Sequence, residues 1–292
     1  MSDNYEKYYV PEQSPWPIVG AVGLFLIAFG AGNFVNEISK GVDGYGGYLL
    51  LAGICTILFM LFGWFGNVIH ESMEGMYSSQ MDRSFRQGMS WFIFSEVMFF
   101  GAFFGALFYA RVFSVPWLGG ASNNVMTQAI LWPEFQAHWP LIKAPGGTET
   151  TAMGAWGLPL YNTIILLVSS VTAHYAHVAL EQGKRMQLKV MLGVTVLLGI
   201  IFLFLQGEEY IHAYQEMNLT LESGIYGNTF FMLTGFHGMH VTLGTIMLLI
   251  MFFRVLKGHF TPDNHFAFQA ASWYWHFVDV VWLCLFVFVY VL

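Results

Sequence analysis

Residues 44–69 read GYGGYLLLAGICTILFMLFGWFGNVI and contain no charged side chain. A bilayer core about 30 Å thick needs roughly 20 apolar residues in a helix, so this stretch is long enough to cross a membrane. It lacks the strict alternation of apolar and polar residues found in strands of membrane β-barrels. Because only helices and closed barrels satisfy the backbone inside lipid, the stretch is predicted to be a transmembrane helix.

The rest of the chain repeats this pattern. Only two carboxylates fall inside the apolar runs, Glu96 and Asp279. The fold class is therefore predicted to be an all-α integral membrane protein with seven transmembrane helices. The predicted spans are residues 16–36, 44–69, 87–110, 158–180, 190–207, 223–253 and 266–292.

The composition excludes several other classes of protein. Hydrophobic side chains make up 56% of the chain and charged ones only 10%, whereas soluble domains carry about a quarter charged residues. The two cysteines, Cys55 and Cys284, lie in apolar runs, so a secreted disulfide scaffold is excluded. Eleven scattered lysines and arginines are too few for a phosphate-binding surface, and nucleic acid is excluded as a partner.

The basic residues predict an orientation. Seven crossings place eight of the eleven on the side of the N-terminus, which should therefore face the cytoplasm, or the matrix in a mitochondrion. The residues before the first span carry acids rather than a basic cluster, so that span is not read as a signal peptide. The eight are Lys7, Arg83, Arg86, Lys184, Arg185, Lys189, Arg254 and Lys257, against Lys40, Arg111 and Lys143.

The chain is interpreted as a single membrane domain over residues 1–292. A polar stretch at 70–86 divides a two-helix arm, residues 16–69, from a five-helix bundle, residues 87–292, and permits a cleft between them. The one long loop, 111–157, is rich in Trp, Pro and Gly, which is typical of irregular structure at the outer membrane interface. Packing or partner contact is its expected role.

Histidines are the natural candidates for redox-metal ligands, because haem or copper between helices requires several that converge. His174 with His177, and His237 with His240, share helix faces, but interhelical hydrogen bonding is the favoured interpretation. Farther along the chain, one Glu-x-x-His step resembles half of a di-iron motif whose second copy is missing. A hydrated outer helix end is favoured there, for Glu208, Glu209, His212 and Glu216.

Glu96 lies deep in the third span, where a charged group is costly. It is interpreted as a proton relay, as a protonated carboxyl group hydrogen-bonded within the protein, or as a polar anchor at a lipid or water-filled cleft. The last two are favoured. Asp279 lies three residues after His276, so a structural polar pair on one helix face is favoured over a proton path.

Arg254, Lys257 and His259 cluster at the inner end of the sixth span. Cationic groups in this position commonly meet phosphate head groups, so the cluster is a candidate lipid site. Ordinary flanking charge of the positive-inside type is the alternative.

Four segments carry a resemblance to a known family. They are Ser14-Pro15-Trp16-Pro17, Ile93-Phe94-Ser95-Glu96-Val97-Met98-Phe99-Phe100, Gly235-Phe236-His237-Gly238-Met239-His240-Val241 and the run from Trp273 through Trp282. Together they resemble subunit III of the haem-copper cytochrome c oxidases, from about residue 14 to the C-terminus.

The resemblance implies a non-catalytic accessory subunit of a respiratory terminal oxidase that reduces oxygen to water and pumps protons. The partners would be catalytic subunit I and subunit II, which would hold the haem and copper, while this chain would hold no cofactor but bound phospholipid. It would stabilise subunit I, and support of proton uptake stays open. Glu96 would face the lipid cleft, Arg254 would lie near head groups, and Trp64, Phe65 and Phe92 would lie in the cleft walls.

Two other functions are alternatives. A related quinol oxidase has a similar third subunit, usually with five spans, so seven spans favour cytochrome c as the electron donor. A transporter is expected to show broken helices or inverted repeats, and neither pattern is visible here. The long loop before Leu158 favours a bacterial inner membrane over the mitochondrial inner membrane.

Overall fold

The computed structural model describes residues 9–10, 13–145, 147 and 149–292. Lys7, used above for the orientation, lies outside the described residues. Within the described part the regular secondary structure is helical, apart from an isolated bridge between Lys143 and Glu149. The helices are α1 Trp16–Lys40, α2 Gly46–Met73, α3 Ser79–Tyr109, α4 Val115–Leu118, α5 Val125–Leu131, α6 Leu158–Glu181, α7 Arg185–Gln215, α8 Ile225–Leu256 and α9 Phe266–Leu285.

Seven of the helical segments in the described residues are long and apolar enough to cross a membrane. They are α1, α2, α3 with its continuation to Leu131, α6, α7, α8, and α9 with its continuation to Val291. The predicted all-α membrane fold with seven spanning helices is confirmed.

Several helices extend beyond their predicted spans. α2 continues to Met73 and α3 begins at Ser79, so most of the polar stretch 70–86 is helical. α7 likewise runs on to Gln215. Ion pairs one turn apart support the polar ends, with His70 Nε2 2.9 Å from Glu74 and His212 Nδ1 3.0 Å from Glu216. An apolar run ends at the first charged residue, whereas the hydrogen-bonded helix continues beyond it.

The described residues up to Phe85 form one compact unit, a hairpin of α1 and α2. α1 ends at Gly41, whose φ of 62° favours glycine. The Glu37 carboxylate accepts a hydrogen bond from the Gly46 backbone N–H at 3.1 Å, at the positive end of α2. The two helices approach closely at Gly53, where an added Cβ would lie 2.6 Å from the backbone nitrogen of Ile27.

Arg86–Leu292 forms the second compact unit, with α9 at its centre. In the most apolar part of α9, 56% of the residues are buried, against 11% in the segment Ser79–Leu131. Two buried indoles fix its register against α6. Trp275 Nε1 donates to Ser169 Oγ at 3.0 Å, and Trp282 Nε1 donates to Thr163 Oγ1 at 2.9 Å.

The described residues of the loop 111–157 contain α4, α5 and irregular segments. Within the loop, Trp132 Nε1 donates to the Leu118 carbonyl at 2.8 Å. The loop is tied to the helices because the Met153 backbone N–H donates to the Tyr226 hydroxyl at 3.1 Å. Specific hydrogen bonds of Trp132 and of the Met153 backbone therefore hold parts of the loop in place.

Candidate functional site

A polar contact between two membrane-spanning helices joins Glu96 on α3 to His240 on α8. Glu96 Oε2 lies 2.8 Å from His240 Nε2, and the side chains are 20% and 7% exposed. The other ring nitrogen of His240, Nδ1, donates to the Phe236 carbonyl at 2.6 Å. The contact therefore supports the interpretation of Glu96 as a carboxyl group hydrogen-bonded within the protein.

The geometry of His240 determines how many protons this pair holds. A carbonyl oxygen only accepts, so Nδ1 of His240 must carry a proton. Nε2 and Glu96 Oε2 then share one further proton, which gives either a neutral acid with a neutral imidazole or a carboxylate with an imidazolium. The net charge is zero in both arrangements. A neutral pair is compatible with low-dielectric surroundings, whereas a lone carboxylate would be costly there.

Aromatic rings surround this pair. The His240 ring lies 4.9 Å from Phe100 and 5.8 Å from Phe99, measured between ring centroids. Tyr274 stacks on His240 at 6.4 Å, and Phe92 stacks on the same tyrosine at 6.1 Å. Phe92, predicted to line a lipid cleft, remains 46% exposed. These rings limit the access of water to the proton shared by Glu96 and His240.

His237 and His240 make interhelical hydrogen bonds, as predicted. His237 is fully buried, and its Nε2 donates to the Val278 carbonyl on α9 at 3.1 Å. His240 engages both nitrogens, one of them with Glu96 on α3. Both ring nitrogens of His240 are thus engaged, whereas Nδ1 of His237 is buried without a hydrogen-bond partner among the described residues.

For His177 on α6, one ring nitrogen makes no such bond. Its Nε2 is buried without a hydrogen-bond partner among the described residues, and it lies 3.7 Å from Glu181. The prediction of a hydrated helix end is wrong for one residue of its cluster. Glu209 is 0% exposed and lies beside the Tyr290 hydroxyl, because α7 continues past it and α9's extension covers it.

His276 and Asp279 lie on one face of α9, but they are not directly hydrogen-bonded. His276 Nδ1 is 4.0 Å from Asp279 Oδ2, beyond hydrogen-bond distance. The same nitrogen is instead hydrogen-bonded to Ser170 Oγ on α6 at 2.7 Å, and this hydroxyl also approaches the Asp279 carboxyl group. Both Asp279 carboxyl oxygens are buried without a hydrogen-bond partner among the described residues, so the predicted pair is a close approach and not a hydrogen bond.

The inner basic cluster, Arg254, Lys257 and His259, lies at the end of α8 and just beyond it. Arg254 is only 7% exposed, and its guanidinium lies over the Phe260 ring, 4.4 Å from the centroid. Its Nε has no hydrogen-bond partner among the described residues. The Phe260 carbonyl accepts a hydrogen bond from Arg185 at 2.7 Å. The cluster thus contains a buried cation stabilised by an aromatic face.

The surroundings of His259 keep its imidazole neutral. Burial, and then the positive charges of Arg254 and Lys257, lower the pKa of His259 below its usual value. An anion beside the cluster would have the opposite effect on this pKa. The pKa of His259 should therefore rise when an anion binds beside the cluster.

In the first compact unit, Trp64 and Phe65 near the end of α2 stack on each other. Their ring centroids are 5.6 Å apart and the rings are nearly parallel, at 15°. They are 48% and 53% exposed. Together they present a flat apolar surface, and their role as cleft walls stays a prediction.

The sequence reasoning missed most of the partners in these contacts. Ser170 and Phe260 carry no local motif, and His240 was paired with His237 rather than with Glu96. The spacing of 144 residues between Glu96 and His240 leaves no periodic signal in a single sequence. The one usable signal was the cost of burying Glu96. It indicates that Glu96 has a polar partner but not which residue that partner is.

Comparison with known proteins identifies the family. The model of the family described as cytochrome c oxidase subunit III matches residues 6–292. The chain belongs to this family. The subunit 3 of cytochrome c oxidase from Papio hamadryas is 38% identical over 291 residues, which cover 99% of this chain and 98% of that protein. Those of Hippopotamus amphibius and Phoca vitulina are 37% and 38% identical over the same lengths.

Membership of the cytochrome c oxidase subunit III family confirms the resemblance inferred from the four segments. It also confirms the description as a membrane protein of the oxidase class. The match extends over nearly the whole chain, so it includes α1 and α2 as well as the five later spans.

Proposed function

We propose that this protein is a non-catalytic accessory subunit of a cytochrome c oxidase, the terminal oxidase of aerobic respiration. In the complex it contacts catalytic subunit I and subunit II, which hold the haem and copper, and it stabilises subunit I. The observation that carries this proposal is the family match over residues 6–292. The hydrogen bonds of His237 and His240 to other helices support a structural role for these residues.

The outer surface of the helices supports assembly with other membrane subunits. The segment Ser79–Leu131 is apolar, yet only 11% of its most apolar window is buried within the chain. Trp91, Phe94 and Met98 on α3 are more than half exposed. Such a surface is suited to lipid and to the apolar helices of partner subunits.

The test is purification of the tagged chain from its native membrane in a mild detergent. We expect co-purification of subunits that carry haem and copper, identified by mass spectrometry and by their visible spectrum. Oxidation of reduced cytochrome c by the preparation supports the proposal. Oxidation of quinol but not of cytochrome c supports the quinol oxidase alternative. Recovery of the chain alone, with solute flux in liposomes, contradicts the proposal.

We also propose that the inner basic cluster binds the phosphate of a phospholipid. Arg254 is buried with no acidic partner among the described residues, and Lys257 adds a second positive charge at the exposed end of α8. The exposed stack of Trp64 and Phe65 is suited to acyl chains. The Glu96 carboxyl group bonds to His240, so its proposed contribution is to order the α3–α8 contact beside the lipid.

Native mass spectrometry of the purified complex tests the lipid site. Arg254→Gln and Lys257→Gln should each reduce the number of retained phospholipids. Lys184→Gln is the matched control, because Lys184 is an exposed basic residue predicted to lie on the same membrane side. Equal lipid retention in Arg254→Gln and wild type contradicts the proposed site.

We propose an inner-membrane location, bacterial rather than mitochondrial, with the N-terminus on the cytoplasmic side. The bias of basic residues supports this orientation. Labelling of single cysteines placed at Ser78 and Asn218, on opposite sides in this topology, tests it with a membrane-impermeant maleimide. Labelling of Asn218→Cys from outside intact cells agrees with the proposal, and labelling of Ser78→Cys alone contradicts it.

A further inference from the structure

A second group of titratable side chains lies apart from the contacts described so far. His177 and Glu181 on α6 and His265, which immediately precedes α9, place one potential ligand atom each within 4.8 Å of one another. The Nε2 atom of His177 is 3.7 Å from Glu181 Oε1. The two imidazole rings are 5.6 Å apart between centroids and inclined at 62°. These three residues are called the His-Glu-His triad below.

The imidazoles of the triad are not occupied by ordinary hydrogen bonds. Nε2 of His177 and Nδ1 of His265 are buried and have no hydrogen-bond partner among the described residues. A buried polar atom without a partner costs roughly 1–3 kcal/mol, so it requires an explanation. A ligand that accepts electron pairs from both rings would provide one.

Two imidazoles and a carboxylate form a donor set that divalent transition metals use, and His₂Glu is one of the ligand sets of zinc enzymes. The triad also lies at the C-terminal end of α6, where the unpaired carbonyls give a partial negative charge. We propose that the triad binds a divalent transition-metal ion of the zinc type, with a fourth position left for water.

The geometry requires only a small adjustment. Zinc binds nitrogen and oxygen at about 2.0–2.2 Å, so tetrahedral ligands are roughly 3.3 Å apart. His177 Nε2 and Glu181 Oε1 are already near that separation, at 3.7 Å. The Glu181 side chain is 55% exposed at a helix end, so its rotation can shorten this contact. The three ligand atoms lie within 4.8 Å of one another, so the His177 and His265 rings must also approach each other to bind one ion.

Positive charges nearby oppose the metal but are engaged elsewhere. Arg86 acts electrostatically on His177, and its guanidinium is hydrogen-bonded to Gln269 and lies 5.3 Å from the centre of the Phe266 ring. His174 also acts on His177 and is exposed to solvent. These contacts leave the charge of Arg86 in place, but among the charged groups that act on His177 the Glu181 carboxylate has the largest effect and Arg86 the smallest.

The ion would connect two elements that are distant in sequence. Glu181 is the last residue of α6, whereas His265 ends the connection between α8 and α9 that also contains Lys257 and His259 of the inner basic cluster. This role is structural, it involves no electron transfer, and it does not depend on the proposed oxidase function. The proposal differs from the sequence-based expectation that this chain holds no metal, and the experiment below tests the two against each other.

The test measures zinc binding to the protein as purified with its natural partners. After treatment with a chelator, ⁶⁵Zn²⁺ is added by equilibrium dialysis at about pH 7.5, where imidazole and carboxylate are deprotonated. We expect wild type to bind one more zinc ion per chain than the variant His177→Ala/His265→Ala. Glu181→Gln should weaken this binding by at least about tenfold, since even residues outside the ligand set cost 10–100-fold.

His174→Ala is the matched control, because His174 lies on the same helix outside the triad. It should bind zinc as wild type does. Glu181→Gln decides the question if the double variant is not recovered, because an exposed residue at a helix end tolerates replacement. Zinc binding by Glu181→Gln equal to that of wild type overturns the proposal, and so does an equal loss in His174→Ala. Since the partners are assayed separately, failure here is distinguishable from failure of the oxidase assignment.

Discussion

At the scale of single residues, several polar groups in the membrane spans have partners on other helices, whereas the carboxyl groups of Glu209 and Asp279 are buried without one among the described residues. Glu96 shares a proton with His240, and His276 is hydrogen-bonded to Ser170. Arg254 has the face of Phe260 in place of an acid. Each contact lowers the cost of burial without placing a net charge in an apolar region, except at Arg254, where we infer an anion.

The Glu96–His240 contact predicts different effects for two substitutions. In Glu96→Gln the amide N–H donates to Nε2 of His240, so stability should change little. In Glu96→Ala, Nε2 of His240 is buried without a partner, and the free energy of unfolding should fall by roughly 1–3 kcal/mol. Thermal unfolding of the purified complex measures both, with Glu208→Gln as control because Glu208 is exposed on α7.

Oxygen uptake by the same variants tests the proton-relay interpretation of Glu96. We expect Glu96→Gln to keep most of the turnover, since a structural hydrogen bond is preserved. Loss of most of the turnover would favour the relay instead.

The titration of His259 predicts a pH dependence. Since its pKa is lower in the folded protein than in the unfolded chain, the unfolded state binds more protons between the two values. The stability contributed by neutral His259 is thus fully present above about pH 6.5 and is lost as the pH falls through that value toward the lower, folded pKa.

NMR titration of labelled histidine measures this pKa directly. Lys257→Gln should raise the pKa of His259, because one of the two nearby positive charges is removed. Added anionic phospholipid should raise it further in wild type and less in Arg254→Gln. A titration that does not respond to lipid would contradict the proposed head-group site.

At the scale of elements, close helix contacts depend on where glycine lies. Gly53 allows α2 to approach the backbone of α1, whereas a Cβ added to Gly32 on α1 would meet no atom within 4 Å. On the other unit, Gly199 and Gly244 make room for the Trp275 ring, since their added Cβ atoms would lie 2.8 and 2.9 Å from it. Glycine position therefore sets which helix faces pack.

Gly53→Ala should destabilise the α1–α2 hairpin. The added methyl group would lie 2.6 Å from a backbone nitrogen that cannot rotate away, and overpacking of this kind costs about 1–3 kcal/mol. Gly32→Ala is the matched control. It should be neutral or stabilising by up to about 1 kcal/mol, because alanine favours the helix and the space is open. Equal melting temperatures of the two variants would show that the close approach is unimportant.

At the scale of the whole molecule, the apolar surface exceeds the core. Buried residues concentrate in the Arg86–Leu292 unit around α9, whereas in the most apolar part of α2 only 6% of residues are buried. In a soluble protein such exposed apolar helices would aggregate, but in a membrane they contact lipid and neighbouring subunits. The stability of this chain therefore depends on what surrounds it.

Removal of phospholipid should lower the stability of the complex and shorten its working life during turnover. A ligand that binds only the folded state raises the free energy of unfolding by about 1.4 kcal/mol for each tenfold excess of its free concentration over its dissociation constant. Phospholipase treatment followed by thermal unfolding and oxygen-uptake assays measures the effect. Added phospholipid should restore the melting temperature and the working life of the wild-type complex. Restoration should be weaker in Arg254→Gln. Unchanged melting after complete delipidation would contradict the structural role of lipid.

The sequence by itself determined the seven helices, the membrane setting and the family. Span length and apolar character are properties of consecutive residues, and each of the seven long helical segments contains one of the predicted uncharged runs. The family segments around Glu96, His237 and Trp273 are likewise continuous stretches. Helix ends differed because hydrogen-bonded turns continue past the last apolar residue into water.

Only the tertiary structure decided which polar groups meet. Glu96 and His240 are 144 residues apart, and Ser170 and His276 are 106 apart. A helical face repeats every 3.6 residues and says nothing about which face of another helix it will contact. The choice depends on how glycines and large aromatic side chains fit together in three dimensions. For that reason the burial of Glu96 was foreseen from the sequence, whereas its partner was found only in the packed bundle.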